Sequence, residues 1–253
     1  MDDQAHALSF GAAADRYDRY RPSYPEPAVR WAVGRPVPAR VVDLGAGTGI
    51  LTRVLLGLGY QVRPVEPDPG MRVRLDAVTP GELALDGAAE RVPLPDGSAE
   101  AVVAGQAYHW FDQPVAHAEG ARLLRPGGTY AAIFNQRDES VPWVAALTAI
   151  TVDLLGGRGA RDDGPGVDGY GPDFAPVERG EFRHALRLTP EELVGMISTR
   201  SYYLTAAPRR QRRVDGAIRE LTASHPELAG RENFDLPYRT LVFRARRRRT
   251  ARR

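Results

Sequence analysis

One short stretch near the start of the chain combines residue types that can bind a charged small molecule. Residues 41–44 form an apolar run that contains one acid, glycines follow at three alternating positions, and apolar residues then recur at helical spacing from Ile50. A buried strand, a glycine turn and a helix in this order predict the ligand-binding turn of an open α/β sheet, because glycine leaves the N–H groups at the helix start accessible. The residues predicted to hold the ligand here are Asp43, Gly45, Ala46, Gly47 and Gly49.

The glycine spacing argues against a dinucleotide at this turn. The dinucleotide fingerprint G-x-G-x-x-G needs its third glycine at the position where this chain has Ile50. The carboxylate of Asp43 would also repel a pyrophosphate, and it suits an ammonium group instead. The turn therefore predicts a ligand that carries a positive charge.

A second acid is predicted at the end of the neighbouring strand. Glu66 follows the strand predicted over residues 61–65 and lies 17 residues beyond Gly49. An acid at about this distance from the glycine turn is placed to accept hydrogen bonds from the ribose of a nucleoside cofactor. Glu66 and the following Pro67 are therefore candidate cofactor contacts, although this site alone does not decide which cofactor is bound.

The turn after the third predicted strand is a candidate adenine site. The strand is predicted over residues 82–85, and the residues that follow it are acidic or small. Asp86 can accept a hydrogen bond from an exocyclic amine, and the backbone of Gly87 and Ala88 can approach a ring.

The fourth predicted strand, over residues 99–104, leads into the densest cluster of aromatic and polar side chains, residues 105–112. The carboxyl end of this strand adjoins the ligand crevice in a doubly wound sheet. Gln106 is therefore a candidate cofactor contact, and His109 is a candidate catalytic base. The alternative for His109 is a purely structural role.

The segment before the first strand is predicted to form a lid. The alanine-rich start and two prolines of residues 10–25 predict a helix followed by an extended loop that can fold over the ligand end of the sheet. Its three tyrosines, Tyr17, Tyr20 and Tyr24, are candidates for orienting a substrate. The alternative for each is packing on the surface of the sheet.

Length and composition limit the possible classes. At 253 residues the chain suits one α/β domain with additions, predicted as a lid segment at 1–35, the main domain at 36–245 and an arginine-rich tail at 246–253. The absence of cysteine excludes disulfides and thiolate metal sites, and no metal site is predicted. Without a bilayer-length apolar stretch or a secretion-type start, a cytoplasmic location and no membrane partner are expected.

The net charge of +2 conceals an acidic body. Seven arginines lie among the last ten residues, so the rest of the chain carries −5. Binding to nucleic acid usually needs a broad positive face, and it is not predicted here. The tail is predicted to be a solvated end, and the glycine- and aspartate-rich residues 156–172 a mobile loop.

Taken together, these motifs resemble the class I S-adenosylmethionine (SAM) dependent methyltransferases, in particular the methyltransferase type 11 group that includes trans-aconitate methyltransferase-like enzymes. The resemblance covers roughly residues 10–245 and rests on residues 17–25, 42–49, 65–68, 106–112, 123–128 and 198–202. It implies an α/β, doubly wound, Rossmann-like sheet of seven strands in the order 3-2-1-4-5-7-6, with strand 7 antiparallel and an N-terminal helical lid. Strands six and seven would lie at 181–188 and 238–244.

The resemblance also implies roles for the candidate residues. Asp43 and Gly45 would lie near the methionine part of SAM, Glu66 would hold the ribose, Gly87 and Ala88 would border the adenine, and Gln106 would lie beside the reacting centre. The chain departs from one related pattern, because no Asn-Pro-Pro-Tyr-like motif follows strand four. Methylation of an exocyclic base amine is therefore not supported.

The implied function is transfer of a methyl group from SAM to a small-molecule acceptor, with natural-product biosynthesis as one setting. O-, N- and C-methylation remain open, as do a monomer and a homodimer. A carboxylate acceptor would need no base, and Arg21 or Arg200 would then serve as its clamp. The alternatives are a nicotinamide-dependent oxidoreductase and a SAM-binding or interaction protein without turnover.

Overall fold

The computed structural model describes residues 20–81, 83–155 and 167–249. The candidate Tyr17, most of the predicted lid, residues 156–166 of the predicted loop and residues 250–253 of the predicted tail lie outside the described residues. The strands are β1 Arg40–Leu44, β2 Gln61–Val65, β3 Ala99–Gly105, β4 Leu124–Arg137, β5 Glu178–Leu188 and β6 Phe234–Arg246. The helices are α1 Glu26–Val33, α2 Ile50–Gly57, α3 Pro69–Val78, α4 Gln113–Leu123, α5 Pro142–Leu155, α6 Pro190–Ser198, α7 Ser201–Leu204 and α8 Pro208–Ser224, with a 3₁₀ helix at Tyr108–Trp110.

The strands form one sheet in the order β2-β1-β3-β4-β6-β5. The first four strands in this order run parallel, and β6 pairs antiparallel with both β4 and β5. This is the predicted doubly wound α/β order with an antiparallel last strand. Because the sheet is parallel from β2 to β4, the carboxyl ends of these strands meet at one edge, where ligands bind in such folds.

The predicted number of seven strands is wrong for the described residues, which form a six-stranded sheet. At the predicted third strand, Leu85 makes an isolated parallel bridge to Val65 at the outer edge of β2. One local feature shortens this pairing. The Leu85 N–H donates to Pro64 O, but Pro64 has no N–H with which to extend the ladder towards residue 83.

The central parallel strands are buried on both faces, as in other parallel sheets. Val41 of β1 packs on one face with buried residues of α1 and α2, whereas Val42 and Leu44 pack on the other face with α4. Helix α1, whose Ala28, Val29, Ala32 and Val33 are fully buried, therefore belongs to the core of the sheet.

A third apolar cluster joins α5, α6 and α8 to the neighbouring ends of β5 and β6. Helix α6 begins with a capping box, in which Thr189 and Glu192 bond each other's backbone N–H. The helix is thereby fixed at its start, and Arg200 follows its end in the link to α7.

The described part of the arginine-rich end is tied to the fold. Strand β6 runs to Arg246, and the backbone N–H groups of Arg247 and Arg248 donate to Gly128 O (2.8 Å) and Asp173 O (2.7 Å). The Arg244 guanidinium lies 3.8 Å from the ring centroid of Trp31. No helix within the described residues is long and apolar enough to cross a membrane.

Candidate functional site

The glycine turn joins β1 to α2 at the carboxyl edge of the sheet. Gly45, Gly47 and Gly49 all have positive φ, at 64°, 57° and 85°. A Cβ on Gly45 would lie 2.7 Å from the Ala107 Cβ, so only glycine lets the turn pack against the loop after β3. A Cβ on Gly47 would meet no atom within 4 Å among the described residues, because Gly47 lines an open cavity.

Asp43 is fully buried on β1 and lines the same cavity. Its Oδ2 accepts a hydrogen bond from the Thr52 hydroxyl (2.7 Å), and its Oδ1 has no hydrogen-bond partner among the described residues. Burial raises the pKa of Asp43 to about 7, Thr52 opposes this shift, and the charge of Glu66 adds to it. A buried acid with one unsatisfied oxygen is suited to receive a cationic or hydrogen-bond-donating group.

Glu66 follows β2 and is held by the backbone. Its Oε2 accepts from the Gly47 N–H and its Oε1 from the Asp68 N–H, both at 2.9 Å. Each carboxylate oxygen has a second lone pair, so Glu66 can still accept hydrogen bonds from a ligand in the cavity. Pro67 and Asp68 line the cavity beside it, as predicted for Pro67 and unforeseen for Asp68.

The predicted adenine turn is only partly brought to the cavity. Ala88 lines it, together with Ala89 and Glu90, which the sequence did not single out. Asp86 is exposed and forms an ion pair with Arg72 (3.0 Å), outside the residues that line the cavity. Gly87 packs inwards, where a Cβ would lie 2.9 Å from Pro93 Cδ.

The end of β3 forms the floor of the cavity. Gln106 has a positive φ of 55°, rare for a residue with a side chain, and its Nε2 donates to Asn135 O (2.8 Å). Trp110 lines the mouth of the cavity with 80% of its surface exposed. His109 is exposed, lies 4.9 Å from Trp110 between ring centroids, and is not among the cavity-lining residues.

One wall of the cavity comes from the segment before α1. Arg21, Pro22 and Tyr24 line it, and Arg200 joins them from the link between α6 and α7. Tyr24 is 8% exposed, and its hydroxyl packs so closely that a Cβ on Gly105 would lie 2.7 Å from it.

Tyr20 takes a different position from Tyr24. It packs with the helical cluster, where a Cβ on Gly195 would lie 2.8 Å from Tyr20 Cζ. Tyr20 is not among the residues that line the cavity.

These residues enclose one cavity of about 530 Å³, within the usual range for cofactor and substrate sites. The structure brings Tyr24, Asp43, Gly45, Ala46, Gly47, Glu66, Pro67, Ala88 and Gln106 together around it. Gly49, Asp86, Gly87, His109 and Tyr20 lie outside the lining.

The charges of the cavity are distributed unevenly. Asp43, Glu66, Asp68 and Glu90 line the part formed by β1, β2 and the turn after Ala88, and this part favours a ligand with positive charge. No group of three or more His, Cys, Asp or Glu side chains that could hold a metal ion lies among the described residues.

Sequence comparison identifies the family. An uncharacterized methyltransferase of Mycobacterium tuberculosis (strain ATCC 25618 / H37Rv) is 41% identical over 242 residues, which cover 94% of this chain and 96% of the relative. The chain belongs to the methyltransferase family. This membership favours the methyltransferase over the nicotinamide-dependent oxidoreductase considered from the sequence.

Two further comparisons agree with the methyltransferase assignment. The family profile described as a methyltransferase domain matches residues 42–132, from the glycine turn into β4. An uncharacterized methyltransferase-like protein of Schizosaccharomyces pombe (strain 972 / ATCC 24843) is 26% identical over 254 residues and covers 96% of this chain and 97% of the relative.

The methyltransferase fold also occurs in a solved structure, that of a candidate type II methyltransferase from Anaeromyxobacter dehalogenans. It matches with a TM-score of 0.64 at 22% identity, and the match covers 90% of this chain and 98% of the other. At this identity the likeness concerns the fold alone.

The cavity also contains residues that the sequence did not mark. Asn135 is 3% exposed, lines the cavity and lies inside β4. It occupies the carboxyl half of a strand next to β3, and this position in the sheet order is the signal that could have identified it. Glu90 is held by a hydrogen bond from the Asp112 N–H to its Oε1 (2.7 Å), a contact across 22 residues that no local pattern encodes.

Proposed function

We propose that this methyltransferase uses SAM as the methyl donor and transfers the methyl group to a small-molecule acceptor bound in the same cavity. The observation that carries the proposal is Asp43, a buried acid that lines the cavity and whose Oδ1 has no hydrogen-bond partner among the described residues. Leaving a buried acceptor unsatisfied costs about 1–3 kcal/mol, more when it is charged. The ammonium group of SAM would satisfy it.

The neighbouring residues fit the rest of this cofactor. The open space beside Gly47 admits a ligand against the backbone of the turn, where any side chain would intrude. Glu66 is fixed by two backbone N–H groups and keeps lone pairs for ribose hydroxyls. Ala88 and Ala89 offer small apolar side chains to an adenine ring. The acidic lining favours the net positive charge of SAM over the phosphates of a dinucleotide.

The acceptor would occupy the part of the cavity bordered by Tyr24, Gln106 and Arg200. When bound, SAM supplies a methyl group on a positively charged sulfur, which an acceptor atom takes by in-line displacement. The protein's contribution is then to orient the acceptor, to exclude water and, for a hydroxyl or ammonium acceptor, to remove a proton. Tyr24 is buried in the cavity wall and is suited to orienting the acceptor.

His109 remains the proposed base. Its exposed position beside Trp110 at the cavity mouth means that it would act on an acceptor that reaches the mouth. For a carboxylate acceptor, no base is needed, and Arg21 or Arg200 would act as the clamp.

A labelled-methyl transfer assay tests the proposal. Purified protein is incubated with SAM that carries a labelled methyl group and with panels of small carboxylic acids, phenols, amines and RNA. We expect labelled small-molecule product, and an Asp43→Asn variant should lose it at SAM concentrations that saturate the wild type. SAM binding without transfer to any panel would instead favour the non-catalytic alternative, and transfer to RNA alone would refute the small-molecule acceptor.

A further inference from the structure

The cavity wall formed by residues 21–24 lies outside the sheet and needs side chains to hold it. The Asn135 Nδ2 donates to the backbone carbonyls of Pro22 (3.4 Å) and Ser23 (3.1 Å). Tyr24, the next residue, packs its hydroxyl against Gly105. The buried amide of Asn135 and the ring of Tyr24 thus attach the wall to the sheet, and the Ser23 backbone also contacts His184.

The orientation of the Asn135 amide is fixed by its surroundings. Backbone carbonyls only accept hydrogen bonds, so the Nδ2 of Asn135 must face Pro22 and Ser23. Its Oδ1 then faces β6, where the Thr240 hydroxyl donates to it at 2.6 Å. Thr240 is fully buried and lies opposite Asn135 in the antiparallel register of β4 and β6.

A histidine on the next strand completes the chain of hydrogen bonds. The Nδ1 of His184 lies 3.2 Å from Thr240 Oγ1. Because the single proton of the hydroxyl is directed to Asn135, Oγ1 must accept from Nδ1–H, which fixes the tautomer of His184. Burial lowers the pKa of His184, an effect that the backbone of Ser23 partly offsets. Each residue therefore donates a hydrogen bond to the next: His184 of β5 to Thr240 of β6, Thr240 to Asn135 of β4, and Asn135 to the wall.

Asn135 also holds the floor of the cavity. Its backbone carbonyl accepts from Gln106 Nε2 (2.8 Å), and Gln106 needs such support because its φ of 55° is strained for a side-chain-bearing residue. One residue inside β4 thus links the floor at the end of β3 to the wall that carries Tyr24.

We propose that Asn135 is a positioning residue for the methyl acceptor, and that Thr240 and His184 set its amide orientation. The effect on the acceptor rests on the proposed function, because it assumes that the wall and floor connected by Asn135 border the acceptor part of the cavity. Asn135 would act through Tyr24 and Gln106, and the cofactor end at Asp43, Gly47 and Glu66 is held by separate hydrogen bonds. Loss of the amide should therefore loosen the wall and leave the cofactor end intact.

Two isosteric substitutions and one conservative control test this. Asn135→Asp keeps an acceptor for Thr240 and replaces the donor to Pro22 and Ser23 with a repelling oxygen. Thr240→Val keeps the shape and removes the hydroxyl, whereas Thr240→Ser retains it. The measurements are amide hydrogen exchange in the peptide that covers residues 22–29, calorimetric affinity for S-adenosylhomocysteine, and thermal unfolding.

We expect exchange in this peptide to rise at least about tenfold in Asn135→Asp and about fivefold in Thr240→Val, the factors for one or two lost hydrogen bonds. Thr240→Ser should exchange like the wild type, and affinity for S-adenosylhomocysteine should stay within about threefold in all three variants. Wild-type exchange in Asn135→Asp, or equal exchange in Thr240→Val and Thr240→Ser, would overturn the proposal. If Asn135→Asp does not fold, the comparison of exchange in Thr240→Val and Thr240→Ser tests the proposal by itself.

The same experiment separates this proposal from the proposed function. A wild-type protein that fails to bind S-adenosylhomocysteine, yet shows the expected exchange differences among variants, would refute SAM dependence while the role of Asn135 in holding the wall stands. Normal binding with unchanged exchange in the variants would refute the positioning role alone.

Discussion

The buried carboxyl group of Asp43 should make SAM binding depend on pH near neutrality. Burial raises the pKa of Asp43 to about 7, and its Oδ1 has no partner among the described residues. A cation bound beside this oxygen favours the ionised carboxylate and so lowers its pKa. Binding near neutral pH should therefore be accompanied by release of a proton.

The size of the effect follows from that pKa. At pH 6 about one tenth of an acid with a pKa of 7 is ionised, and at pH 8 about nine tenths. The affinity for SAM should therefore rise about tenfold between pH 6 and pH 8 and become level above that. At pH 7 about half a proton should be released for each SAM bound.

Calorimetric titration at the three pH values, in two buffers of different ionisation enthalpy, measures both quantities. Asp43→Asn should bind more weakly and show no such pH dependence. Asp86→Asn is the matched control, because Asp86 is an exposed acid near the site that is paired with Arg72, and it should retain the wild-type profile. A flat wild-type profile, or a tenfold rise that persists in Asp43→Asn, would refute the reasoning.

The same pKa predicts the stability of the ligand-free protein. Because the folded-state pKa is raised above the unfolded value of about 4, the folded state binds the extra proton between pH 4 and pH 7. The protonated Asp43 makes its full contribution to the free energy of unfolding below about pH 4. This contribution, about 4 kcal/mol, is lost as the pH rises through about 7. Asp43→Asn should therefore unfold at a higher temperature than the wild type at pH 8, with the difference shrinking towards pH 5.

Three further substitutions test separate parts of the site. Glu66→Ala should weaken SAM binding by about 1.5–3 kcal/mol in calorimetry and change turnover at saturating SAM less; an unchanged affinity would move the ribose contact to Asp68. For an acceptor that must lose a proton, His109→Ala should lower turnover by about 10²–10⁴, and a variant with full activity on such an acceptor would make His109 a surface residue. Gly105→Ala should displace the Tyr24 hydroxyl, since the new Cβ would lie 2.7 Å from it. Labelled-methyl transfer should then fall while SAM affinity stays within about threefold. An equal loss of transfer and affinity would place this contact at the cofactor.

The sequence predicted the part of the cavity around the glycine turn better than the part around Asn135. The glycine turn, Asp43 and Glu66 follow strand ends closely in the chain, so local pattern and sheet order together locate them. Asn135 is different, because it lies inside a strand and its side-chain partners are more than 100 residues away, Thr240 on one side and the carbonyls of Pro22 and Ser23 on the other. Local periodicity carries no information on such a contact.

The errors have similar physical causes. The predicted third strand is reduced to a single bridge at Leu85, because Pro64 of β2 has no N–H with which to extend the pairing. Asp86 was predicted to contact adenine from its chain position, but the neighbouring Arg72 pairs with it outside the cavity. His109 and Trp110 lie next to each other in the 3₁₀ helix, and Trp110 rather than His109 lines the cavity. The sequence could not predict which of the two would do so, because a shift of one residue decides it.

The most direct test of the central claim is calorimetric titration of the wild type with SAM and with NAD, repeated on Gly47→Val and Gly230→Val. Both glycines have positive φ and open space where a Cβ would lie, but only Gly47 lines the cavity. We predict micromolar SAM binding of about −7 to −8 kcal/mol in the wild type and in Gly230→Val, none in Gly47→Val, and no NAD binding. NAD binding without SAM binding, or normal SAM binding by Gly47→Val, would contradict the account.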